Sequence, residues 1–401
     1  MQERVRSHSK PGGRRDGYKI ALCIEGGGMS GCVAAGMVSA LYDLGIHDAI
    51  DVVYGSSAGA LVGAYLISGE RHSGPEIYYN ELSGKKGRER FIDKQVLLRF
   101  MGLGALQMHN NLWNFIRGRK RSSLFNLKFL LHNVVSKVKP MNWEVFWHKQ
   151  ANDLQPLKLV CSGMCTEEAV VLSAENNNFL CFQSFLTCLE AALNVPGVSE
   201  QDFVRLKGER IGRGNVASTH AAAGKSADMK HRPTVSFGSE PLVDALVFEP
   251  IPYRSAVRDN CTHILVLRTT PDGVSITKRM SLAQKLIVNR YFGGKFPNLL
   301  EWMQKQMNLL VLAEDMLILN EANAGDYCSV SGHKGEGAVI CSIALPEGAT
   351  GVRRLELSQQ KLFNGVRDGY AAAYDVMSNL ENSGNGTLRA MVLWPDTLLQ
   401  S

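Results

Sequence analysis

Ser57 stands at the centre of Gly55-Ser56-Ser57-Ala58-Gly59, a G-x-S-x-G run in which small residues flank a hydroxyl. A serine hydroxyl becomes a nucleophile only when it is exposed, oriented and close to a group that takes its proton. A sharp strand-to-helix turn exposes it, and Gly55 and Gly59 let the backbone fold that tightly. The helix beginning there also turns its first N–H groups and the positive end of its dipole toward charge that develops in acyl transfer. The same composition occurs in ordinary Gly/Ser turns. Here an apolar strand precedes it and a small-residue helix follows, which favours Ser57 as a nucleophile.

A second glycine run, Gly26-Gly27-Gly28-Met29-Ser30-Gly31, also lies between strand and helix. It spells the G-x-G-x-x-G of dinucleotide sites, but such a site wants an acidic residue near the end of the second strand to hold ribose. That strand ends in Tyr54, and Asp51 lies at its other end. A phosphate loop is excluded because no Gly-Lys-Ser/Thr follows. Adjacent backbone N–H groups opening into one concavity make an oxyanion site instead.

The proton acceptor is less local. A Ser, Asp/Glu, His order would need a histidine late in the chain, and only His263 and His333 follow Asp244. His263 begins an apolar strand, and His333 lies in a Gly/Lys-rich stretch. Asp244 ends Pro241-Leu242-Val243 and precedes Ala245-Leu246-Val247-Phe248-Glu249-Pro250-Ile251-Pro252. A lone aspartate at a strand end is an ordinary turn residue, so on these residues alone aspartate and histidine both stay open. Of the nine cysteines only Cys161 and Cys165 are closely spaced, and no second Cys or His pair stands at zinc spacing. No metal and no cofactor are expected. Most of the nine sit in apolar runs such as Leu159-Val160-Cys161 and Ile340-Cys341, which suits buried thiols in a reducing compartment.

These groups need a scaffold. Lys19 to Ile24 reads as a buried strand, with a helix from Ser30 to Leu44; Asp51 to Tyr54 is a second strand, with a helix to Ser68. This alternation is the rhythm of a parallel α/β sheet. Further strands are expected at Leu157 to Ser162, Val170 to Ser173, Leu242-Val243, Thr262 to Arg268 and Ala338 to Leu345. Helices fit Ser184 to Asn194, Ser281 to Phe292, Pro297 to Asn320 and Phe363 to Leu380. The expected organisation is a basic tail over 1–17, a catalytic domain over 18–270 and a C-terminal helical or α/β extension over 271–401. Within the catalytic domain, 69–156 reads as a basic helical insertion after the serine turn and 205–238 as a flexible loop.

Composition sets the class. The chain has 401 residues, 45% hydrophobic and 20% charged, with a net charge of +6. No apolar run is long enough for a membrane span, and the stretch after the basic N-terminus contains Glu25 and three glycines, unlike a secretory signal. An intracellular protein is expected, cytoplasmic or peripheral to a membrane, with an organellar address left open. Between Lys85 and Arg121, ten Lys or Arg face only Glu89 and Asp93, interleaved with Phe91, Leu97, Leu98, Phe100, Trp113 and Phe115. That mixture suits either a solvated helical face or an amphipathic surface for anionic lipid. No recognition motif supports nucleic acid as a partner.

Taken together, the glycine loop, the serine turn, Ala191-Ala192-Leu193-Asn194-Val195-Pro196-Gly197 and Leu242-Val243-Asp244 with Pro250-Ile251-Pro252-Tyr253 resemble the patatin-like phospholipase family, in that order along the chain. The resemblance implies a patatin-like three-layer α/β fold with a mainly parallel central sheet flanked by helices. It implies a Ser–Asp dyad in which Ser57 attacks an ester carbonyl and Asp244 takes its proton. Gly26, Gly27, Gly28 and Met29 would then supply oxyanion donors, beside Gly31 of the same loop. The substrates implied are lipid acyl esters (phospholipids, lysophospholipids or glycerolipids) met at a membrane surface. Two positions depart from the family: Ser30 stands where its loop usually carries Arg, and Ala245-Leu246 where Gly-Gly or Gly-Ala usually follows the Asp. Losing the Arg removes a fixed positive charge, although a serine there can cap the helix. A side chain at 245 is costly only if that backbone needs positive φ or a close approach. The rival reading is a catalytically weak or inactive lipid-binding protein on the same fold.

Overall fold

The computed structural model describes residues 1–83, 90–93, 123–206, 240–274, 282–323, 337–378 and 385–399. Most of the Lys85 to Arg121 segment, most of 205–238 and His333 lie outside the described residues.

A short N-terminal helix, α1 (Gln2–Arg6), is folded onto the sheet. Arg4 is buried and donates to Asp16 and, at 2.7 Å, to Asp51, which in turn accepts the Ile20 N–H. Arg14 also pairs with Asp51. Residues 1–17 therefore fasten the starting ends of the first two strands.

β1 (Ile20–Ile24) and β2 (Val52–Ser56) are each followed by a tight turn and a helix, α2 (Gly31–Asp43) and α3 (Ala58–Ile67). Downstream come α4 (Trp143–Ala151), β3 (Leu157–Gly163), β4 (Ala169–Leu172), α5 (Phe182–Leu193), β5 (Leu242–Asp244) and β6 (His263–Leu267). α6 (Met307–Asn323), β7 (Val339–Ile343) and α7 (Gln359–Met377) follow. The sheet runs β4-β3-β2-β1-β6-β7, with β5 joined to β3. β3, β2, β1, β6 and β7 are mutually parallel; β4 and β5 run against β3.

Strand alternation sorts the core into two sides. Leu22, Ile24 and Val53 face α2, α3 and α7, while Ala21, Cys23, Val52 and Tyr54 face α6 and the short helix Tyr253–Arg258. The result is the expected three-layer α/β fold with a mainly parallel sheet. With helices on both faces, the central strands are mostly apolar on both sides.

Four expectations change in detail. The single helix expected over Pro297 to Asn320 is two, Pro297–Gln304 and Met307–Asn323, because Gln306 takes φ +57 and breaks the ladder. A helix at Asn385–Leu393 follows α7. Ile77–Leu82 and Phe129–Val138 fall in wide π-type turns. Cys341 is exposed on the edge strand β7, unlike Cys23, Cys32 and Cys161, which are buried. Among the described residues no helix is long and apolar enough to cross a membrane.

α2 and α7 touch backbone to backbone. A Cβ on Gly36 would collide with the Val366 carbonyl, and one on Gly369 with the Val33 carbonyl. Alanine normally gains about 1 kcal/mol over glycine inside a helix. Forcing a methyl into a rigid contact costs about 1–3 kcal/mol, and here the obstacle is backbone. Gly369→Ala is therefore expected to lower stability by about 1–2 kcal/mol in urea unfolding. A variant more stable than the parent would show that propensity outweighs the contact.

Candidate active site

β3 is the template that brings the site together. Its Val160 pairs with Ser56 of β2, and the next residue, Cys161, pairs with Asp244 of β5. β4 takes one edge of β3 along Leu159 to Ser162, so β5 must lie on the other, just past the end of β2. Ser57, the first residue beyond β2, therefore faces Asp244 across one register step.

Ser57 itself sits at φ +51, ψ −124, a conformation that non-glycine residues rarely adopt. Such a turn costs about 1–3 kcal/mol and persists only where packing on both sides imposes it. Gly59 allows α3 to start hard against β1, since a Cβ there would collide with the Ile24 carbonyl and come 2.9 Å from that of Glu25. A Cβ on Gly55 would lie 2.5 Å from the Ala60 Cα. Ser57 is partly exposed at the head of α3. The neighbouring hydroxyl is committed elsewhere: Ser56 is buried and donates to the Glu249 carbonyl at 3.0 Å.

The glycine loop presses on the serine, with a Cβ on Gly26 falling 2.8 Å from the Ser57 Cβ. The buried Glu25 carboxylate anchors the loop by accepting the N–H groups of Thr269 (2.6 Å) and Thr270 (3.1 Å) and the Thr270 hydroxyl (2.8 Å). Thr269 Oγ1 donates to the Gly26 carbonyl at 2.9 Å. Of the four expected oxyanion donors, two are already engaged. Gly26 N–H donates to Pro250 at 3.2 Å and Met29 N–H to the Arg354 carbonyl at 3.0 Å. Gly27 and Gly28 N–H donate to no group among the described residues, and Gly28 holds φ +58. Gly31 opens α2, where a Cβ would come 2.8 Å from that of Ala58. Ser30 stands at the N-cap of α2 but makes no side-chain cap; its hydroxyl donates back to the Gly27 carbonyl at 2.9 Å.

Asp244 is fully buried. Its N–H donates to the Asn194 carbonyl at 2.9 Å, so the Ala191 to Gly197 segment braces it, and its Oδ1 accepts the Leu246 N–H at 2.8 Å. Burial pushes its pKa from an ordinary 3.8 up to about 6, against the opposing pull of the Ser57 hydroxyl, the Leu246 N–H and the Arg354 charge. The hydroxyl thus acts on the carboxylate, yet Oδ2 has no hydrogen bond of good geometry. The two groups are neighbours without a formed hydrogen bond. Ala245 begins a 3-10 turn and is absent from the positive-φ positions, so this backbone does not require glycine.

His263 pairs with Ile20 at the starting end of β1, four residues before Ile24, and packs edge-on against Tyr18. At about 3.3 Å per residue it stands at the opposite end of the sheet from Ser57. Sequence reading missed Arg354 and Thr269, which meet the loop only through the fold, and the tie that Glu25, next to the loop in the chain, makes to Thr269 and Thr270.

Comparison with known proteins gives one family: the model of patatin-like phospholipase matches residues 22–257. Among solved structures, VipD from Legionella pneumophila is similar at 13% identity and TM-score 0.37, over 89% of this chain and 66% of that one. The heterodimeric ExoU–SpcU complex from the type III secretion system of Pseudomonas aeruginosa aligns at 14% identity and TM-score 0.25, over 76% of this chain and 52% of that one. The chain thus spans only part of either protein. A search of curated proteins found no match.

The Asp244 carboxyl carries a stability signature. A folded-state pKa raised above the unfolded value means that the folded protein holds the proton more tightly, so stability falls as pH rises from about 4 through about 6. A shift of that size corresponds to about 3 kcal/mol. Asn cannot ionise, so the stability of Asp244→Asn relative to wild type is expected to rise by about 2–3 kcal/mol between about pH 4 and pH 8, read from denaturant midpoints. A pH-independent difference would mean the carboxylate is not held out of water.

Proposed function

Because the chain belongs to the patatin-like phospholipase family, we propose that it is a serine lipid acyl hydrolase working through a Ser57–Asp244 dyad without histidine. The observation that carries this reading is the strained, partly exposed Ser57 set one register step from a buried carboxylate whose proton affinity is raised.

In this mechanism Ser57 Oγ attacks the ester carbonyl carbon while its proton passes to Asp244. A carboxylate is a weak base in water; one with a pKa near 6 is better matched to neutral operation. The carbonyl oxygen gains negative charge and is received by the open N–H groups of Gly27 and Gly28, with the N-terminus of α3 contributing its dipole. The C–O bond breaks, the leaving alcohol takes the proton from Asp244, and an acyl-Ser57 remains. Water then attacks the acyl group as Asp244 accepts its proton; the acyl–Oγ bond breaks, Asp244 returns that proton to Ser57 Oγ, and the carboxylic acid leaves. The substrates are acyl esters of phospholipids, lysophospholipids or glycerolipids. The rival inactive reading loses support at Ala245, since that position carries a side chain without strain.

A fluorophosphonate probe should label the wild type and not Ser57→Ala; label retained in that variant, or lost with Ser56→Ala instead, overturns the assignment. Asp244→Asn should lower kcat by several orders of magnitude, while His263→Ala should keep wild-type turnover once folded. For the wild type, kcat/KM should rise with pH through about 6 as Asp244 becomes a base. A flat profile there overturns Asp244 as the titrating base, and a folded histidine variant as inactive as Asp244→Asn points to a triad.

The basic segment Lys85 to Arg121 is proposed to dock the protein on anionic lipid. Each cation near such a surface contributes about 1 kcal/mol, falling off with salt. Reversing four of these charges to Glu should weaken binding to phosphatidylserine-containing vesicles and slow hydrolysis of vesicle lipid more than of a soluble short-chain ester. Unchanged vesicle binding makes the segment a solvated face.

A further inference from the structure

We propose that Arg354 is a specificity-determining residue of this site, its guanidinium pairing with the phosphate of a glycerophospholipid whose ester carbonyl lies at Ser57. The inference rests on the hydrolase reading above and adds the group that selects the substrate.

Three features of Arg354 point this way. Its backbone is fixed against the glycine loop: the carbonyl accepts the Met29 N–H at 3.0 Å, and a Cβ on Gly28 would stand 2.7 Å from the same oxygen. The flanking chain is held as well. Gly351 lies close against Pro271, where a Cβ would come 2.7 Å from Cγ, and Leu355 and Leu357 pack on the main core. Yet the side chain is exposed and forms no ion pair or hydrogen bond among the described residues. A pinned backbone thus presents an uncommitted cation at the rim of the loop that touches Ser57.

The charge also reaches the reacting groups. Among the described residues, Arg354 is the one full charge that acts on the buried Asp244 carboxyl, and it stabilises the carboxylate. An exposed guanidinium on a rotatable stem is a poor fixed donor for the oxyanion, and Gly27 and Gly28 already offer open N–H groups for that role. What the cation can meet is a negative group that the substrate carries near its ester. A phosphodiester offers two oxygens that match the arginine fork, giving a bidentate charge-assisted pair; a neutral glyceride offers none. Ser30 leaves the glycine loop itself without a cation, and Arg354 brings one from outside the family span of 22–257.

The test compares wild type, Arg354→Gln and Arg354→Lys on lysophosphatidylcholine and on a monoacylglycerol with the same acyl chain, both in neutral detergent micelles. Arg354→Gln should lower the ratio of kcat/KM on the phospholipid to that on the neutral ester by about tenfold to a hundredfold, the weight of a charge-assisted pair. Arg354→Lys should restore only part of the ratio, because an ammonium cannot bind both oxygens in a fork. The acid limb of the monoacylglycerol profile should also move to higher pH in Arg354→Gln, since the Asp244 carboxylate loses its one stabilising charge. An unchanged ratio overturns the proposal, as does full restoration by lysine. If the wild type hydrolyses neither ester, or Ser57→Ala hydrolyses both, the hydrolase reading fails instead.

Discussion

A carboxylate removed from water and set beside a serine hydroxyl is the interaction on which the rest of this structure turns. Burial alone raises the proton affinity of Asp244, and burial is destabilising, so the surrounding fold must hold the group in place without neutralising it. It does so with backbone. Asn194 and Leu246 grip Asp244 through main-chain bonds, and β3 fixes its position relative to the serine by pairing with both partners in turn. Adding a second hydrogen bond to Oδ2 would hold the carboxylate more firmly and make it a weaker base.

The second demand is closeness. Gly26 and Gly59 let the end of β1, the glycine loop and the head of α3 approach where any Cβ would intervene, and Gly28 does the same for the Arg354 carbonyl. Side chains add ties: Glu25 across to Thr269 and Thr270, Ser30 back to Gly27. Gly26 and Gly59 thus bring main chain close against Ser57 and the head of α3, and main-chain groups move less than rotatable side chains.

How much of this was legible in the sequence follows from how local each feature is. The two strand-turn-helix units were readable because apolar runs, glycines and small-residue helices lie side by side in the chain. Ser57 was singled out from Ser56 by motif spacing alone, and the geometry gives the two serines different surroundings. Asp244 was legible only through family resemblance, since its meeting with Ser57 depends on β5 pairing with β3 in the slot beyond the end of β2. The division of the loop N–H groups between engaged and open was hidden for the same reason: the carbonyls of Pro250 and Arg354 arrive from distant segments. Ser30 looked like a helix cap and turned its hydroxyl the other way. Gln306 gave no composition signal for the break that its backbone makes.

The seat of α2 on α7 bears on how such a protein can change over generations. Position 36 lies inside the matched family span and position 369 outside it, yet each is held to glycine by the main chain of the other helix. A larger residue on either side would need a shift of a whole helix, and α2 carries the glycine loop at its head. The two positions should therefore be inherited as a pair, and a chimera joined near residue 257 would inherit a working seat only from a donor that kept both glycines.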